Sequence, residues 1–175
     1  MSDDVLADPP FDPEVAPYSG DEVSVVNWLL DYQRRVFFHK IEGITEGQAR
    51  VRIGLSELSL LGLTRHLAYV EQYWFGDVFL GASELGHWED PDDRDRDFHP
   101  FEHDTLAEAV AVLGTELARS RRIAGSNAFD TLAKNQRDGQ PVTLRWILVH
   151  LLEEWARHCG HADLLREAID GVTGD

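Results

Sequence analysis

Residues 143–171 read TLRWILVHLLEEWARHCGHADLLREAIDG, and this stretch decides the fold. Leu144, Leu148, Leu151, Trp155, Ala162 and Ile169 recur at helical spacing, which predicts one long helix with a face buried in a core. A second set, His150, Glu154, His158 and His161, repeats at four, four and three residues. At about 100° per residue these side chains fall within roughly 80° of one another, along one flank of the apolar stripe. Glu153 turns away to the solvent side. Three imidazoles and a carboxylate beside a buried face are costly unless something binds them.

Working outward, the rest of the chain supplies partners for that helix. A first helix is expected from about Asp21 to Glu42, stopped by Gly43, with Val25, Trp28, Leu29, Tyr32, Val36 and Phe37 as its inner face. A connector with a helical turn around Glu46 to Ala49 follows. The second long helix is predicted from about Glu57 to Leu80, with Ser56 as N-cap and Leu60, Leu63, Leu67, Val70 and Trp74 inward. His66 borders that stripe. Gly81 ends the helix, and an acidic segment up to about Asp104 reads as a long irregular loop. Thr105-Leu-Ala-Glu108 is a capping box, so a third long helix starts there and closes at Gly125. Leu106, Ala109, Val110, Leu113 and Leu117 face inward. Phe129, Leu132 and the turn-like Arg137 to Pro141 lead into the last helix. No stretch alternates as strands do. The fold class is all-α, a four-helix bundle over residues 21–175 with an extended acidic arm at 1–20, where Phe11 and Tyr18 are candidate anchors.

With 175 residues and a net charge of −16, a single soluble domain is expected. That charge opposes nucleic-acid binding, which needs clustered cations, and docking on an anionic membrane. Residues 1–22 carry seven acids and no base, and Glu89 to Asp97 carries six acids against two arginines. Solvation of a tail and a loop explains both. Cys159 is the sole cysteine, so no intramolecular disulfide forms. With neither a signal-like N-terminus nor an apolar run of membrane length, a cytoplasmic location is the expectation.

Bundles build metal sites from side chains that project inward from facing helices. Glu154 and His158, one turn apart, can touch one ion, and His66 on another inner face is the natural third ligand. Two His and one Glu leave a position open for water or substrate. Spacing alone leaves a second reading open, in which these are packed, hydrogen-bonded core residues. His150 and His161 read as outer partners or pocket wall. Arg65, Arg145 and Arg157 could each meet a substrate carboxylate or serve as surface cations. Cys159, rotated about 100° from His158, reads as a buried thiol. His39, His87, His99 and His103 read as solvated. The spacing H-E-x-x-H, a second Glu-x-x-His, a phosphate-binding glycine loop and a G-x-S-x-G elbow are all lacking.

LSLLGLTRHLAYVEQYWF (Leu58 to Phe75) and LRWILVHLLEEWARHCGHADLLREAIDGVTG (Leu144 to Gly174) resemble the DinB-like superfamily of four-helix-bundle metalloproteins. The likeness is greatest to its mini-circle-protein branch, with a relation to the mycothiol-dependent maleylpyruvate isomerases. His66 matches the His of an H-L-x-x-V-E motif, and Glu154 and His158 match the ligand pair four residues apart, with Gly160 slightly displaced. The resemblance implies a divalent ion on His66, Glu154 and His158 (zinc or nickel first, iron or manganese next). It also implies a homodimer, a small-molecule substrate and a low-molecular-weight thiol as cosubstrate in S-transfer or isomerisation. Three readings compete: such an enzyme, or a hydrolase using the same open position; a non-catalytic metal-binding or stress-associated bundle; and a bundle whose polar flank is a metal-free dimer seam.

Overall fold

In a computed structural model, residues 15–83 and 86–173 are described. The chain is a helical bundle without a strand among those residues. Its elements are α1 (Glu22–Ile41), a single turn α2 (Glu46–Ala49), α3 (Leu60–Gln72) running on into a π-helical segment (Tyr73–Phe79), α4 (Leu106–Gly125) and α5 (Leu144–Asp170). Helix α1 packs chiefly on α5 and α3 on α4, with a further α3–α5 contact closing the core. No helix among the described residues is long and apolar enough to cross a membrane.

Side-chain caps set the starts of the five described α-helices. Asp21, Thr45, Ser59, Thr105 and Thr143 each accept a backbone N–H from the first turn that follows. Helix α5 ends on Gly171 at φ 77°, the left-handed conformation that glycine adopts without a Cβ penalty. The short α2 has a second duty: the Glu46 carboxylate accepts the N–H of Leu106 at 2.8 Å and so anchors the start of α4.

Three expectations are corrected. The cap of α3 is Ser59, three residues beyond Ser56, because the Ser56 hydroxyl is already occupied by the N–H of Leu58 at 3.2 Å. That helix also does not stay α-helical to Leu80. The wider turn over 73–79 brings Trp74, Phe75, Val78 and Phe79 into the core together, and the N–H groups of Lys134 and Asn135 cover the carbonyls of Phe79 and Val78. The inner face of α1 is rotated from the apolar reading. Leu30, Asp31, Arg34, Phe37, Phe38 and Ile41 are buried, while Leu29 and Tyr32 reach solvent.

Burial of Asp31 and Arg34 is possible because each is paired with opposite charge. Arg34 bonds Asp31 at 2.8 Å and Glu71 at 2.5 Å, and Arg121 also reaches Asp31. Burial alone would raise the Asp31 pKa, but Arg34 and Arg121 outweigh it and hold the carboxyl below its ordinary range. Phe11 lies outside the described residues, and Tyr18, 97% exposed, anchors nothing.

Candidate metal centre

The polar flank of α5 comes to lie against α3. The apolar stripe of α3, from Leu60 through Leu63 and Leu67 to Val70, is buried, and that packing fixes the rotation that points His66 at α5. Across from it, Leu151, Trp155 and Ala162 bury α5 and bring His158 inside at 6% exposure. The His66 and His158 rings meet edge to face with centroids 4.6 Å apart. One donor atom from each of His66, Glu154 and His158 falls within 4.8 Å of the other two. The three side chains singled out by the sequence are therefore brought together, from two helices.

Their environment suits metal ligation. Burial, with the neighbouring His66, His161 and Arg157, lowers the His158 pKa to about 3, so at neutral pH its imidazole carries a lone pair with no proton to displace. His158 Nε2 lies 3.5 Å from Glu154 Oε2, close but longer than a charge-assisted hydrogen bond of about 2.8 Å. His66 Nδ1 lies 2.6 Å from Asp97 Oδ2. The carboxylate can only accept, so Nδ1 donates, and in the neutral ring Nε2 keeps its lone pair. Two imidazoles and one carboxylate at this separation fit a divalent transition metal with room for a further ligand.

A model of the mycothiol-S-transferase family matches residues 25–171. The chain belongs to this family. It lies within the DinB-like superfamily, and the match spans both helices that carry the cluster. No curated protein matches the chain at a significant level.

Around the cluster the remaining candidates divide. His161 Nδ1 lies 3.2 Å from His158 Nδ1, the position of an outer partner that leaves His158 Nε2 toward Glu154. His150 stacks on Trp146 at 4.9 Å, meets Trp74 edge-on, and has Nε2 3.7 Å from Glu154 Oε1. It is wall. Glu153 and Glu154 with His150 form a second acidic grouping, in which Arg157 contacts Glu153 and lies 3.5 Å from Glu154, so one of the two carboxylate charges is offset. Arg145 pairs with Glu22 at 2.8 Å. Arg65 does not line the cluster at all: rotated away from His66, it is fully buried against the loop after α3. There it donates to the Arg96 carbonyl at 2.9 Å, pairs with Asp104 at 3.2 Å and covers Trp88.

Cys159 is a buried thiol, as its position on α5 implied. Burial and nearby Asp163 push its pKa up to about 12, and its Sγ donates to the Gln33 carbonyl at 3.3 Å. Two histidines read as solvated are partnered instead. His87 Nε2 lies 2.9 Å from Glu116, and His99 Nδ1 lies 2.8 Å from Asp93. His39 and His103 are largely exposed.

Sequence reasoning missed Asp97 and Phe98. The loop is more than a solvated acidic run, because Asp97 is 8% exposed and Phe98 stacks on the His66 ring at 4.0 Å. The one available signal was Phe98, an apolar residue closing an otherwise acidic stretch.

Proposed function

We propose that this chain is a metal-dependent thiol S-transferase that holds a divalent ion on His66, Glu154 and His158 and takes mycothiol as its thiol substrate. The observation that carries the reading is the convergence of those three donors in a chain matched by the mycothiol-S-transferase family over residues 25–171. A divalent ion with an open position supplies a Lewis acid that lowers the pKa of a thiol placed there.

The chain's own groups support the rest. Cys159, buried and with its pKa pushed up to about 12, is a poor nucleophile at neutral pH, which favours an attacking sulfur from a cosubstrate. Glu154 contributes a single negative charge against two neutral imidazoles, which leaves a site loaded with a divalent ion net positive toward an anionic sulfur. Trp74, Trp146 and His150 form an aromatic wall beside Glu154, suited to an apolar electrophile. Zinc and nickel are the first choices for this donor set, and iron and manganese are compatible. A homodimer and a cytoplasmic location belong to the same proposal and rest on the family relation.

The test is conjugation of mycothiol to a fluorogenic alkylating probe such as monochlorobimane. Wild type is expected to accelerate it at least a hundredfold over His66→Ala and Glu154→Ala, both folded. Equal rates in all three proteins would overturn the proposal. Ester or amide hydrolysis that needs no thiol would replace it with the hydrolase reading.

A further inference from the structure

The loop between the π-helical segment and α4 is fastened to the bundle where it passes over His66. Arg50 donates to the carbonyls of Phe101 and Glu102, each at 3.1 Å, and to that of Asp104. Arg65 holds the Arg96 carbonyl and the Asp104 carboxylate from beneath, with its guanidinium 4.9 Å over Trp88. Gly62 allows the loop to come down: a Cβ there would stand 2.6 Å from the Phe98 carbonyl oxygen, inside any real contact. These fixtures leave Asp97 and Phe98 with little freedom. Phe98 lies 22° from parallel over the His66 ring, and Asp97 Oδ2 sits 2.6 Å from His66 Nδ1.

From this geometry we infer that Asp97 is a positioning residue, which holds His66 as the Nδ1–H tautomer and so aims its bare Nε2 at Glu154 and His158. A free neutral histidine side chain favours the opposite tautomer, with the proton on Nε2, and a ring in that form would present a proton to the metal cluster. Asp97 reverses the preference by accepting from Nδ1, and its charge makes the ring a better donor. The loop acts as the splint for this contact, and Arg50, Arg65 and Gly62 are what keep the splint in place. The consequence for metal affinity rests on the proposed ligand set, whereas the tautomer does not.

The experiment is a long-range proton–nitrogen correlation spectrum of the histidine rings in metal-free protein at pH 8, beside Zn²⁺ affinity measured by competition with a chromophoric chelator. Wild type is expected to show His66 with a protonated Nδ1 and a bare Nε2. In Asp97→Ala the proton moves largely to Nε2, and Zn²⁺ affinity falls about ten- to a hundredfold. Asp97→Asn keeps an acceptor and therefore the tautomer, with an affinity loss below about tenfold that reports the missing charge. A His66 tautomer in Asp97→Ala identical to that of wild type would overturn the inference. So would an unchanged Zn²⁺ affinity in a variant that has switched tautomer. Should Asp97→Ala not fold, an Asp97→Asn affinity equal to that of wild type, with its tautomer lost, would also contradict it. If the tautomer depends on Asp97 but no variant, wild type included, binds Zn²⁺, the positioning role stands and the metal-dependent function falls.

Discussion

Trp155 donates its indole N–H to Glu71 Oε1 at 2.9 Å, and both side chains are wholly buried. The same oxygen accepts from Arg34 Nε and Nη2, so Glu71 on α3 ties α1 to the residue that follows Glu154 on α5. Glu71 shares α3 with His66 and Trp155 shares α5 with His158, so this buried link joins the two helices that carry the cluster. Glu71→Leu removes the acceptor and leaves Arg34 with Asp31 alone. Breaking a buried pair on one side typically costs about 3–5 kcal/mol. Urea unfolding is expected to show a loss in that range, and a change below about 1 kcal/mol would contradict the role assigned to Glu71.

Protonation of His158 gives a second expectation. An unfolded chain takes up this proton near pH 6.5, whereas the folded one refuses it until about pH 3. His158 therefore destabilises the fold progressively as pH falls from 6.5 toward 3, and above 6.5 this penalty is absent. The slope from one such proton is at most about 1.4 kcal/mol per pH unit. Metal-free protein unfolded by urea at pH 4.5, 5.5 and 7.5 should lose stability with a steeper slope in wild type than in His158→Gln. Parallel slopes would show that His158 titrates normally in the folded state.

Cys159 offers a simple check on the exogenous-thiol argument. With its pKa near 12 and little exposure, it should react with a disulfide reagent at pH 8 far more slowly than in urea. Cys159→Ala should bind metal as wild type does. Rapid stoichiometric labelling of the native protein would return Cys159 to the list of candidate nucleophiles.

Gly62→Ala tests the splint from the helix side. Its Cβ meets the Phe98 carbonyl at 2.6 Å, and backbone on both sides gives little room to yield. The loop must lift, so Zn²⁺ affinity is expected to drop about tenfold or more through the loss of the Asp97–His66 contact, while alanine's higher helix propensity on its own would stabilise α3. An affinity unchanged from wild type would mean that the loop does not govern His66.

Much of this arrangement was legible because it is periodic. The flank His150, Glu154, His158 and His161 and the stripe Leu60, Leu63, Leu67 and Val70 each repeat at helical spacing, so the side of each helix follows from rotation alone. Where polar residues took core positions, periodicity misled. Asp31 and Arg34 lay outside the apolar face expected for α1, and their burial rests on partners remote in sequence: Glu71 lies 37 residues from Arg34 and Arg121 lies 90 from Asp31. The π-helical turn at Tyr73–Phe79 breaks the 3.6-residue period that the reading assumed. Asp97 had no period to reveal it. It is one of six acids between Glu89 and Asp97, and only the folded loop distinguishes the one that reaches His66.

Metal content separates a metal centre from a metal-free polar flank. Tag-free protein purified without chelators, wild type beside Glu154→Ala, should be analysed for divalent metals before and after loading with Zn²⁺ or Ni²⁺. About one ion per wild-type chain, lost in the folded variant, is the expected result. No stoichiometric metal in wild type even after loading, or the same content in both proteins, would contradict a metal centre on His66, Glu154 and His158.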